Sequence, residues 1–171
     1  NLLYTISDIE RIGDHAVNLA EAAKEIEEKK INFSDAAKAE LLVLEQAILD
    51  VLAKTANAFE YTDLQRAMKV EPHEEVIDVL VREVKSRHVR RLRDGKCTVE
   101  YGFVLDDLLT SYERIADHCS NVAAEMIQSA SDKMEIHEYL EALKAGQLDE
   151  SVQYQNNYQR YSERYTFPEE A

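Results

Sequence analysis

The stretch ERIGDHAVNLAE, from Glu10 to Glu21, returns as ERIADHCSNVAA from Glu113 to Ala124, with seven of twelve positions identical. Both copies sit in long segments whose apolar residues recur at steps of three and four, the signature of one helical face. In the first segment that face holds Leu2, Ile6, Ile9, Ile12, Gly13, Ala16, Leu19, Ala20, Ala23 and Ile26. In the second it holds Leu105, Leu109, Tyr112, Ile115, Ala116, Cys119, Val122, Ala123 and Met126, each 103 residues after a member of the first. The duplication therefore covers a core face and a polar face together. A chain with this pattern is built from long helices, two of which are copies of each other.

Composition agrees. Four glycines and two prolines in 171 residues leave few places to turn, and strong helix formers are abundant. The spacing predicts a first helix over Leu2 to Glu28, then a second from an N-cap at Ser34 to about Met68. In the second, Leu41, Leu44, Ile48, Val51, Leu52, Thr55 and Phe59 point inward. Pro72 suits the first turn of a third helix that stops at Asp94-Gly95 and buries Ile77, Leu80, Val81, Val84 and Leu92. A fourth runs to about Ser129, and a short one over 135–144 ends at Gly146. Tyr154, Tyr158, Tyr161 and Tyr165 then recur at helical steps and read as a docked packing face. The expected class is all-α, an antiparallel helical bundle.

The net charge of −14 repels phosphate backbones and anionic lipid, so the sequence argues against nucleic-acid binding, and it attracts cations. Cys97 and Cys119 form neither a disulfide framework nor a zinc spacing. No run of 18 apolar residues exists, so no direct membrane insertion is expected of this stretch. Residue 1 is Asn and no signal peptide is visible, so the chain is expected to be a piece of something longer.

The polar face carries the chemistry. Glu113, Asp117 and Asn121 align along one edge of the fourth helix, as Glu10, Asp14 and Asn18 do on the first. A third Glu-x-x-x-Asp lies in EPHEEVID as Glu74 and Asp78, with Glu71 and Glu75 close by. Like charges at i,i+4 destabilise a helix by roughly 0.2–0.5 kcal/mol per pair, so three such pairs call for a compensating cation. Arg11, Arg114 and Arg82 stand near enough in sequence to supply part of it. Carboxylates from facing helices also suit hard or borderline metal ions such as iron, manganese, magnesium or calcium. His15 and His118 are rotated about 100° from the carboxylate line and fit a core boundary, while His73 adjoins the acidic cluster as an extra candidate ligand.

At these residues the sequence resembles a known family. SDIERIGDHAVNLAE and SYERIADHCSNVAAE are similar to the helix signature of PhoU domains. VEPHEEVIDVLVREVKSRHVRRLRDGKC followed by YERIADHCSNVA resembles the PhoU-like C-terminal region of bacterial sodium/phosphate cotransporter-related proteins. The resemblance spans about residues 1 to 130 and implies tandem three-helix bundles, with a truncated first one represented by 1–30 and a second over 34–131; the residues beyond, 132–171, read as a C-terminal helical tail packing on the bundle. It implies metal ions, iron-, zinc- or manganese-like, held by Glu74, Asp78, Glu113 and Asp117. In the first bundle it leaves only Glu10 and Asp14, and the apolar face of that helix is open unless the tail or another chain covers it. The implied role is non-enzymatic and regulatory, on the cytoplasmic side of a membrane transporter domain of the same chain or complex, with a homodimer as an option.

Two other readings compete. A di-iron oxidase bundle uses Glu-x-x-His pairs, and the residues three before each histidine are Ile12, Val70, Lys85, Ile115 and Met134, so that chemistry is disfavoured. A structural bundle with a solvated acidic face predicts no metal at all.

Overall fold

The computed structural model describes residues 2–130 and 136–168. Its helices are α1 (Leu2–Glu28), α2 (Asp35–Tyr61), α3 (Leu64–Ala67), α4 (Glu71–Arg93), α5 (Val99–Ala130), α6 (Ile136–Lys144) and α7 (Ser151–Arg164). The chain is all-helical among the described residues, as the composition requires.

Local signals set most boundaries. The Ser34 hydroxyl accepts the Ala37 N–H at 3.2 Å and starts α2. The second helix ends earlier than the expected Met68. Thr62 adopts a left-handed conformation (φ 51°) whose N–H returns to the carbonyls of Ala58 and Phe59. Asp63 then caps the single turn α3 by accepting from Arg66. Pro72 falls in the first turn of α4, where its missing N–H costs nothing. Gly95 and Gly146, at φ 69° and 75°, follow α4 and α6 in the conformation that suits a residue without a Cβ.

Helices α2, α4 and α5 form an antiparallel bundle around one core. Leu44, Ile77, Leu105, Leu109 and Ile115 are each 2% exposed or less, and burying each such side chain stabilises the fold by about 1.5–3 kcal/mol. Gly102 lets α4 and α5 approach closely, since a Cβ there would lie 2.7 Å from Nε2 of His88. Inside the bundle, Arg91 donates to both carboxylate oxygens of Glu40 at 2.8 Å.

Helix α1 lies antiparallel along α5. Its inward seam is Thr5, Asp8, Ile12, His15, Leu19, Ala22 and Ile26, steps alternating three and four. The apolar stripe expected to be inward is therefore split. Ile12, Leu19 and Ile26 face α5, whereas Leu2, Ile6 and Ile9 are 66%, 51% and 46% exposed. Their copies Leu105, Leu109 and Tyr112 sit under α2 and α4, and among the described residues α1 has no such cover. The described part of the tail does not provide one, because α7 packs on α4 and α6. Phe59, expected inward on α2, is also exposed, at 41%.

The ring of His73 stacks on Tyr161 and Tyr165 at 4.3 and 5.2 Å between centroids, which seats α7 along α4. Tyr165 and Arg164 both donate to Asp50 of α2 at 2.5 Å. The expected boundary between residues 131 and 132 lies outside the described residues.

Candidate metal centre

The second half of α5 runs antiparallel past the first half of α4, and their acidic edges face one another. Carboxylate oxygens of Glu74, Asp78 and Asp117 all lie within 4.8 Å of one another, and those of Glu71, Glu74 and Glu75 form a second such group. Glu74 belongs to both. The two sets share a cleft that α6 closes on one side with Lys144.

Cations ring this cluster. Arg114 reaches Asp117 at 3.0 Å and Arg82 reaches Asp78 at 3.7 Å. Lys144 donates to Glu71 at 2.8 Å and also to Glu75. The Ser120 hydroxyl donates to Glu71 as well. At the centre, Glu74 is only 9% exposed, yet among the described residues no hydrogen bond or ion pair reaches its carboxylate. One oxygen of Asp78 is also buried without a partner.

A buried carboxylate without a counter-charge resists ionisation. Burial, with repulsion from Glu71, Asp78 and Asp117 added, pushes Glu74 up to about 9. Asp78 is raised too, by burial and then by Glu113 and Asp117. Burial works against the Lys144 charge, but its bonds to Glu71 and Glu75 outweigh that and hold its pKa well above the ordinary lysine value.

Of the residues expected from sequence, Glu74, Asp78 and Asp117 converge. Glu113 stands at the rim, within 4.0 Å of Lys85, which also pairs with Asp106 at 3.2 Å. Glu10 and Asp14 are exposed on α1 and join neither oxygen set. His73 faces away from the acids, with Nδ1 2.7 Å from the Lys54 ammonium. Burial and then Lys54 push His73 down to about 3. His15 and His118, equivalent positions of the repeat, stack 5.8 Å apart where α1 crosses α5, and His118 pairs with Asp8 at 2.8 Å. No histidine joins either oxygen set among the described residues.

The centre falls inside a recognised domain. Residues 41–126 match the PhoU domain, half of the chain. The chain belongs to the PhoU family. The match reaches from α2 into α5 and contains all six carboxylates of the cluster and its rim, and leaves out α1 and the tail that carries Lys144. The chain is similar to the phosphate-specific transport system accessory protein PhoU homolog 1 of Thermotoga maritima, 29% identical over 140 residues. That alignment covers 82% of this chain and 59% of the relative. It is also 21% identical over 127 residues to a phosphate-specific transport system accessory protein PhoU homolog of Streptococcus pneumoniae, covering 74% of this chain and 57% of that one. The PhoU chain thus spans less than two thirds of the length of these curated relatives. They are named as accessory proteins, not as the C-terminal region of a sodium/phosphate cotransporter. No solved structure matches it. No helix among the described residues is long and apolar enough to cross a membrane.

Proposed function

We propose that this PhoU chain is a non-enzymatic regulatory module of a phosphate transport system that binds metal ions through Glu74, Asp78 and Asp117. The observation that carries the metal reading is Glu74, a buried carboxylate with no hydrogen-bond or ion-pair partner among the described residues, facing carboxylates from its own helix and from α5. Removing a charge from water without pairing it is costly, and a metal ion would offset that cost. The donor set is all oxygen, which suits iron or manganese better than zinc, whose sites favour His and Cys. When bound, such an ion supplies a fixed positive centre that ties α4 to α5.

The transport role rests on the family and on the names of its relatives. In this reading the module acts at the cytoplasmic face of a membrane transporter domain, in the same chain or complex, and a link to a sodium/phosphate cotransporter belongs to the proposal. The test is to incubate purified protein with Fe²⁺, Mn²⁺ or Zn²⁺, desalt it, and count metal by elemental analysis. At least one equivalent of iron or manganese is expected in the wild type and almost none in Glu74→Ala/Asp117→Ala. Wild-type protein that emerges metal-free would leave a purely structural bundle.

A further inference from the structure

Lys144 is the last residue of α6, anchored beside the cluster by the adjacent Leu143, which is 4% exposed. Its ammonium bonds to Glu71 and Glu75, two of the three members of one oxygen set. In the other set, Asp78 and Asp117 pair with Arg82 and Arg114, and Glu74 feels the Lys144 charge only from beyond ion-pair distance. A lysine ammonium is a compact point charge on a flexible stem, so it can mimic a cation in an oxygen cage. The Lys144 side chain is 39% exposed, so it can swing into solvent while Leu143 stays seated.

We infer that Lys144 is a built-in cation seated in one of two adjoining carboxylate sets, so that a metal ion at Glu71, Glu74 and Glu75 and the docked ammonium exclude one another. This rests on the metal reading above and adds to it a limit on how many ions the centre holds. With Lys144 docked, the set built on Glu74, Asp78 and Asp117 takes one ion. A second ion enters only by displacing the lysine. Because Lys144 lies outside the matched PhoU domain, the limit belongs to this chain's tail and not to the domain.

The test uses the full 171-residue chain and Mn²⁺ alone as probe, with bound ion counted by equilibrium dialysis. Wild type and Lys144→Arg are expected to bind one Mn²⁺ tightly and a second at least tenfold more weakly, while Lys144→Met binds two with similar affinity. Lys85→Met, which removes the same charge beside Glu113 and outside both oxygen sets, should keep the wild-type pattern. Linkage is reciprocal, so labelling of Lys144 by an amine reagent, followed by mass spectrometry, should speed up several-fold as the second ion binds. If Lys144→Met and wild type bind Mn²⁺ alike, or labelling is indifferent to bound Mn²⁺, the lysine limit is wrong and the metal reading stands. If neither protein binds Mn²⁺, both fall together.

Discussion

Arg91 forks onto both oxygens of Glu40 at 2.8 Å, in a place where the Glu40 side chain is 1% exposed. This pair ties the start of α2 to the end of α4. Arg87 also reaches Glu40 at 3.5 Å and keeps Glu83 as a second partner, so removing Glu40 leaves the Arg91 charge buried, which costs about 3–5 kcal/mol, whereas replacing Glu40 and Arg91 together with apolar side chains costs less. Glu40→Ala is therefore expected to lose about that much in urea unfolding, and Glu40→Met/Arg91→Met clearly less. A Glu40→Ala loss under 1 kcal/mol would contradict the fork.

The two copies of the repeat make a controlled comparison. Ile6 and Leu109 are equivalent in sequence, but Ile6 is 51% and Leu109 1% exposed. Leu109→Ala should cost about 2–5 kcal/mol, as core truncations do, and Ile6→Ala within about 0.5 kcal/mol, as surface changes do. Thermal denaturation of the two variants checks this.

The helices and the repeat were legible because periodicity of three and four depends only on backbone geometry. Glu40 was legible in principle, since it falls on the same inward steps as Ala37, Leu44 and Ala47, and an acid on that face signals a buried partner. Other features were not. Nothing in α1's own sequence says which of its edges meets α5, because the duplicated residues are inward in one copy and exposed in the other. The break at Thr62 depends on a left-handed residue that no Gly or Asn announces. In the centre, the motif spacing located Glu74, Asp78 and Asp117, while Lys85 holding Glu113 and Lys144 holding Glu71 are pairings that local periodicity does not encode.

Stability of the metal-free protein should report Glu74. Its folded pKa of about 9 lies above its ordinary 4.5, so the folded state holds an extra proton between those values. The contribution is present in full below 4.5 and is lost as pH rises towards 9. His73, pushed down to about 3, acts oppositely, and its effect is confined below about its ordinary 6.5. Lys54, lowered by burial to about 7, adds stability from there upwards. Comparing Glu74→Gln with wild type in chelator removes both backgrounds. Its advantage should grow from pH 5 to 9, by no more than about 1.4 kcal/mol per pH unit. An advantage constant with pH would mean Glu74 is ionised throughout.

The tail is held at its far end by Asp50, which accepts from Arg164 and Tyr165. Although burial opposes it, these bonds and one from Gln46 keep the Asp50 carboxyl below the usual aspartate range. Asp50→Ala leaves the buried Tyr165 hydroxyl without its acceptor, a loss of about 1–3 kcal/mol, while water replaces the carboxylate at Arg164, which is 55% exposed. Amide exchange in α7 should quicken about tenfold or more, while exchange in the core of α5 is unchanged. Equal acceleration in both would show that the tail and the bundle open as one unit.

A cation shared by α4 and α5 would show directly in an anomalous difference map from a crystal soaked in Mn²⁺. The predicted result is a peak among the carboxylates of Glu74, Asp78 and Asp117. A map without a peak there, or with manganese only beside Glu10 and Asp14, would contradict it.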